Sequence, residues 1–162
     1  DIEDLSLQLM ATQQPMARDL RRIIAAIHLA VELERIGDHA AGIASLVERM
    51  EEEEEIESLH KLPKMAKRAR SMVKIGVEAF IECDPEMAQA MIGKDDKIDR
   101  QYRKLFRETI NEMQDDDYIR RATSLLWVGH DLERIGDRAT KIAERVIFMA
   151  TGDHIEILDD HD

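Results

Sequence analysis

The chain has 162 residues, and its 35 Asp and Glu against 23 Lys and Arg give a formal net charge of −12. This charge disfavours sequence-independent binding to nucleic acid, because such binding depends on Lys and Arg displacing counterions from the phosphate backbone. The composition, 36% charged and 4% aromatic with only seven Gly and three Pro, is typical of helical proteins and predicts an all-α fold.

Apolar residues at helical spacing predict five helices along the chain. Pro15 suits the first turn of the second helix, Asp84 and Pro85 suit the start of the fourth, and Gly152 suits the end of the fifth. The acidic run 115–117 can cap the fifth helix. In chain order the predicted helices cover residues 2–12, 16–52, 56–82, 85–113 and 117–150.

An internal repeat organises these helices. The segment Glu32–Asp38 returns 99 residues later as Asp131–Asp137, with Leu-Glu-Arg-Ile-Gly-Asp in both copies. Around each copy the apolar residues alternate at spacings of three and four, which is the seam of a helical bundle. The seam positions of the second copy are Leu125, Val128, Leu132, Ile135, Ala139, Ile142, Val146 and Met149. Those of the first copy are Ala26, Leu29, Leu33, Ile36, Ala40, Ile43, Val47 and Met50.

The repeat predicts two tandem three-helix bundles related by a pseudo-twofold axis. Residues 1–53 form the first, incomplete bundle, of which only the last helix and the tail of the middle helix are present. Residues 54–152 form the second bundle, and residues 153–162 form a polar tail. The acidic run Glu51–Glu55 lies at the junction, where a solvated helix end is the expectation. Since the chain opens with Asp1 inside an amphipathic pattern, we expect it to be a fragment.

Two further features bear on the compartment. The single Cys83 excludes an internal disulfide and favours a reducing compartment. The longest apolar runs, 23–27 and 125–128, are far shorter than the ~18–20 residues of a membrane-spanning helix. No export signal opens the chain. The sequence therefore predicts a soluble, cytoplasmic protein.

The repeated motif places two carboxylates four residues apart in each copy. Glu34 and Asp38 share one helix face, as do Glu133 and Asp137, and at about 100° per residue both pairs face away from the seam. Clustered carboxylates bind hard or borderline cations. Asp96 and Asp99 on the preceding helix of the second unit can add oxygens on the same side. The spacing allows a metal site on the bundle surface.

A simpler interpretation is that these acids are solvated and paired with Arg35 and Arg134. The glycine of the motif counts against it, because Gly costs about 1 kcal/mol inside a helix and yet recurs at the same register. A close approach by a helix or a ligand would explain that recurrence. From the residues alone, both interpretations stay open.

The doubled Leu-Glu-Arg-Ile-Gly-Asp motif, with Asp19-Leu20-Arg21 before the first copy and Asp96-Lys97-Ile98-Asp99 within the second unit, resembles the PhoU family over essentially the whole chain to about Gly152. The resemblance implies two three-helix bundles in a cytosolic, dimeric regulator of phosphate uptake. Its partners would be the phosphate transporter's ATPase subunit and a sensor histidine kinase, with no nucleic acid and only indirect membrane association. Together they would keep phosphate-starvation genes off.

The resemblance also implies clusters of iron or zinc on the bundle surface. The positions that match the family's motif are Glu34, Asp38, Asp96, Asp99, Glu133 and Asp137. The first unit departs from the pattern, because the acidic pair of its middle helix would lie upstream of Asp1. Glu32 and Asp131 lie further round their helices, and for them a surface ion pair is favoured over a metal ligand.

Two other functions compete with this one. A di-iron carboxylate enzyme would need two inward-facing Glu-x-x-His motifs, and only Glu57-Ser58-Leu59-His60 has that spacing. Cys83 has no neighbouring His in sequence and suits a structural role better than catalysis, so we expect no enzyme. An adaptor that works without metal is the stronger rival. The helix from 16 to 52 is apolar almost all round in its first half, which suits burial against a missing helix, a partner or a homodimer.

Overall fold

The computed structural model describes residues 1–51, 61–112 and 116–155, which form helices and no strand. The predicted all-α fold is confirmed. In chain order the helices are α1 (Ile2–Gln13), α2 (Arg18–Glu51), α3 (Leu62–Glu82), α4 (Pro85–Ile92), α5 (Asp95–Glu112) and α6 (Asp116–Thr151). The Glu57–His60 motif, most of the run Glu51–Glu55 and the end of the polar tail lie outside the described residues, as do the side chains of the predicted cap on α6.

Two predicted helix ends are confirmed in detail. Asp84 caps α4, because its Oδ1 accepts hydrogen bonds from the backbone N–H groups of Glu86 and Met87, each at 2.9 Å. Pro85 then occupies the first turn, where a missing N–H costs nothing. Gly152 ends α6 with a φ of +89°, a left-handed conformation that L side chains rarely adopt.

Two other predictions about helix ends are wrong. Pro15 does not lie in the first turn of α2, because Gln14 and Ala17 on either side of it have φ values of 47° and 48° and so interrupt the helix. The single helix predicted over 85–113 is divided at Gly93 into α4 and α5. The sequence conceals this division because Met91 and Ile98, both fully buried, stand one heptad apart across it.

α6 is the central helix of the fold and packs against α2, α3, α4 and α5. All eight of its predicted seam residues are buried. They enter two clusters, one with α3 and α4 around Met72 and Met91, and one with α3 and α5 around Met65 and Leu105. The predicted seam of the second unit is therefore confirmed, and it contributes to both clusters.

The equivalent seam of α2 is far less covered. Leu33 is 38% exposed and Val47 is 42% exposed, whereas their repeat partners Leu132 and Val146 are 6% and 0% exposed. The physical reason is the number of neighbours: α2 packs mainly against α6 and α1, while α6 has helices on several sides. The predicted bounds of the two units, 1–53 and 54–152, stay a prediction.

The contact between α2 and α6 is itself twofold. His39 Nδ1 lies 2.9 Å from Asp131 Oδ1, and Arg138 Nη1 lies 3.5 Å from Glu32 Oε2. His39 and Arg138 stand 99 positions apart, as do Glu32 and Asp131, so the two pairs are the same contact made in both directions. Such reciprocity is the signature of an isologous interface. It supports the pseudo-twofold relation predicted from the repeat.

Candidate functional site

The motif carboxylates of α6 are buried, contrary to the predicted outward placement. Glu133 is 8% exposed and Asp137 is 4% exposed. The prediction treated the seam as the one covered side of the helix, whereas α5 and α2 also pack on α6. A position turned away from the seam is therefore still inside the protein.

The α2 copy of the motif fulfils the outward prediction. Glu34 and Asp38 are both exposed, and so is the intervening Gly37. A Cβ built on Gly37 would meet no atom within 4 Å. The close approach expected at the motif glycine is thus absent in the first copy, as far as the described residues go, whereas its counterpart Gly136 is buried.

The buried carboxylates have cationic or ring partners on their own helix. Arg134 Nη1 donates to Asp137 Oδ2 at 2.8 Å, and His130 Nδ1 lies 3.5 Å from Glu133 Oε2. The Arg134 contact is short and charge-assisted, which balances the cost of burying the Asp137 carboxylate. The pairing with Arg134 that the simpler interpretation expected is confirmed, although in a buried setting.

Titration of neighbouring groups reflects this environment. Burial raises the pKa of the Tyr102 hydroxyl, and the negative charge of Glu133 raises it further. Burial lowers the pKa of His130; Arg134 and His39 lower it further, and Asp131 opposes them. His130 therefore favours its neutral form in the folded protein. Burial and Arg145 likewise lower the pKa of His28.

The two predicted contributors on α5 differ in exposure. Asp96 is exposed, and Asp99 is half-buried. α5 packs closely on α6, since a Cβ on Gly129 would come within 2.5 Å of Leu105 Cδ2. The acids of α5 and the motif of α6 thus belong to two helices in direct contact.

The described arrangement of the motif carboxylates does not fit a metal ion. Within residues 1–51, 61–112 and 116–155, no three His, Cys, Asp or Glu side chains come together as a group that could hold a metal. Asp137 is instead engaged by a guanidinium group. In the described geometry the motif carboxylates of α6 contact side chains of their own helix, Glu133 with His130 and Asp137 with Arg134, and no step through a metal is derived.

The weaker candidates Glu32 and Asp131 have a different role from metal binding. They form the reciprocal ion pairs between α2 and α6 with Arg138 and His39. An ion pair was the favoured interpretation for both residues, and it is confirmed, but the pairs join two helices and are largely buried. His39 was not predicted from the sequence. The 99-residue offset relates His39 to Arg138 and Asp131 to Glu32, so a predicted contact between Arg138 and Glu32 would also have predicted the contact of His39.

The remaining sequence candidates behave as structural residues. Cys83 is half-buried and ends α3 with a φ of 55°. The first half of α2 is half-buried at Ile23, Ile24, Ile27 and Leu29, and Val31 is 38% exposed.

No helix in the described part of the chain is long and apolar enough to cross a membrane.

Known proteins match this fold and sequence. The PhoU domain matches residues 1–47 and 62–146. The phosphate-specific transport system accessory protein PhoU homolog of Clostridium acetobutylicum is 34% identical over 161 residues, covering 98% of this chain and 74% of that protein. The Pseudomonas aeruginosa homolog of the same description is 32% identical over 154 residues, covering 94% of this chain and 64% of that protein.

Two solved structures have the same fold as this chain. The crystal structure of PhoU from Pseudomonas aeruginosa superposes with a TM-score of 0.89 at 33% identity, covering 93% of this chain and 73% of that chain. The phosphate transport system regulatory protein PhoU from Streptococcus pneumoniae gives 0.85 at 30% identity, covering 96% and 75%. This chain thus spans between about two thirds and three quarters of the length of these relatives. It belongs to the PhoU family.

Proposed function

We propose that this chain regulates phosphate uptake and phosphate homeostasis, and that it negatively regulates phosphate-starvation signalling. The observation that carries the proposal is the match to the PhoU domain over both copies of the repeated motif. The relatives are described as accessory proteins of a phosphate-specific transport system. The descriptions of these relatives as accessory and regulatory proteins support a regulatory rather than an enzymatic role.

The proposed partners are the ATPase subunit of the phosphate transporter and a sensor histidine kinase. The protein acts in the cytoplasm as a homodimer and reaches the membrane only through these partners. The uncovered face of α2 supports a role in association, since Leu33 and Val47 are exposed apolar residues on a helix whose repeat partner is buried. That face equally supports the alternative function, a helical adaptor that needs no metal.

Iron or zinc at Glu34, Asp38, Asp96, Asp99, Glu133 and Asp137 stays a prediction that rests on the family resemblance. The described geometry lends it no support, because Arg134 already engages Asp137 at 2.8 Å. Regulation of phosphate uptake does not depend on it in this proposal. The metal prediction and the regulatory proposal are therefore tested separately.

The regulatory proposal is tested by deleting the gene that encodes this chain in a strain carrying a phosphatase reporter of phosphate starvation. At high phosphate the reporter should be active in the deletion strain and silent again once the gene is restored. A reporter that stays silent in the deletion strain would refute the proposal. Co-purification from the restored strain should recover the transporter ATPase subunit and the kinase.

The metal prediction is tested by elemental analysis of protein purified without a metal-affinity tag. The double variant Glu133→Gln/Asp137→Asn keeps the side-chain volumes and removes two ligands, so bound iron or zinc should be lost. The matched control Glu78→Gln/Glu82→Gln removes another acidic pair at the same spacing and should retain it. Absence of metal from the unmodified protein, with partner binding intact, would leave the adaptor as the better account.

A further inference from the structure

A groove between α3 and α5 concentrates positive charge in this acidic protein. It has a volume of about 390 Å³ and is open to solvent. Its lining also includes the hydroxyl of Ser71 and the amide of Gln101. The cations that line it, here named the cationic groove, are Lys64, Lys67, Arg68, Lys94 and Lys97.

Among the described residues, the five cations of the groove have no acidic partner, whereas two other lysines of the same helices do. Lys74 pairs with Glu78 at 3.6 Å, and Lys104 pairs with Glu108 at 3.5 Å. No carboxylate of the described side chains lines the groove. The nearby Asp99 lies roughly 160° around α5 from the groove side of that helix, at about 100° per residue.

Unpaired like charges in a small volume repel one another, and a polyanion would relieve that repulsion. The cations stand on both sides of the groove, three on α3 and two at the start of α5 and the turn before it. A ligand that presents negative oxygens in several directions can contact both sides at once. The volume falls within the range of small-molecule sites, about 300–1,000 Å³.

The residues that line the groove also indicate which part of a ligand it recognises. In the part of the chain that the structure describes, no aromatic side chain lines the groove, so these residues offer no ring on which a nucleobase could stack. The hydroxyl of Ser71 and the amide of Gln101 can donate neutral hydrogen bonds to phosphate oxygens.

From these features we propose that the cationic groove binds a linear oligophosphate anion, whose negatively charged oxygens contact the Lys and Arg side chains of the groove. This site is separate from the repeated carboxylate motif, and the inference goes beyond the proposed regulatory function without resting on it. Inorganic oligophosphate and the phosphate chain of a nucleotide share the recognised chemistry.

The test is titration calorimetry of the purified chain with inorganic triphosphate in magnesium-free buffer. Binding should weaken as salt rises, because the contacts are between exposed charges. Lys67→Gln/Lys97→Gln removes one cation from each side of the groove, and it should weaken binding at least about tenfold. The control Arg22→Gln/Lys104→Gln removes the same charge from exposed positions outside the groove and should change the affinity less than about threefold.

Titrations with other ligands distinguish inorganic oligophosphate from the phosphate chain of a nucleotide. ATP bound as tightly as triphosphate would support recognition of the phosphate chain alone, whereas ATP bound at least about tenfold more tightly would overturn it. Orthophosphate bound as tightly as triphosphate would also overturn the proposal, as would a Glu-rich peptide that binds where triphosphate does not. So would a control variant as weak as the groove variant. None of these results alters the outcome of the gene-deletion test, which measures regulation in the cell.

Discussion

Replacing Gly129 by Ala tests how closely α5 approaches α6. The new Cβ would lie 2.5 Å from Leu105 Cδ2, 3.3 Å from Tyr102 Cδ2 and 3.5 Å from Leu62 Cδ2. Leu105 is 0% exposed, so its methyl group cannot move into solvent. Because protein interiors are close-packed, the extra carbon forces either a side chain or α5 itself to shift.

Two opposing effects set the magnitude. Ala is favoured over Gly within a helix by about 1 kcal/mol, whereas overpacking a core costs about 1–3 kcal/mol. Gly37→Ala is the matched control, because its Cβ would meet nothing within 4 Å. Gly37→Ala should therefore raise the free energy of unfolding by about 0.5–1 kcal/mol. The free energy of unfolding of Gly129→Ala should be about 1–3 kcal/mol lower than that of Gly37→Ala.

Urea unfolding followed by circular dichroism measures both variants against the unmodified chain. In thermal unfolding the difference between them corresponds to about 2–12 °C, at about 2–4 °C per kcal/mol for a protein of this size. If Gly129→Ala stabilises the chain as much as Gly37→Ala does, the reasoning is refuted, because α5 and α6 would then have room for another carbon.

Two further predictions concern charge. Double-mutant cycles on Glu32→Gln and Arg138→Gln should give a coupling free energy of about 1 kcal/mol, and zero coupling would mean that this pair does not join α2 to α6. His130 has a lowered pKa, so the unfolded chain takes up its proton first as the pH falls below about 6.5. The free energy of unfolding should therefore decrease as the pH falls through about 6.5, and it should decrease less in His130→Gln. Equal decreases in the two proteins, measured by urea titration at each pH, would contradict this.

The sequence predicted the features that repeat along the chain. The 99-residue offset identified both motif helices, and the spacing of apolar residues identified the seam of α6, which is buried throughout. Asp84 and Pro85 revealed a helix start because capping is a local property of a few residues. These predictions succeeded because each depends on residues near one another in the chain or on a strict period.

The failures involve contacts between distant segments. Burial of Glu133 depends on α5 lying against α6, and a helical wheel drawn around one seam does not contain that neighbour. The division at Gly93 was hidden because the buried positions on either side keep their heptad spacing. The cationic groove was missed for the same reason, since Lys67 and Lys97 meet only through the packing of α3 on α5.

The reciprocal ion pairs between α2 and α6 have a consequence for how this protein can change. In a symmetric homodimer every substitution is made twice, so both copies of a contact gain or lose together. Here the twofold contact lies within one chain, and the equivalent positions already differ, with His39 against Arg138 and Glu32 against Asp131. One pair contains an imidazole and the other a guanidinium, which differ in shape and in the number of hydrogen bonds that they can donate. Covalent linkage of the repeats thus lets the two halves of a symmetric interface change independently, so that one half can be altered while the other half still holds the helices together.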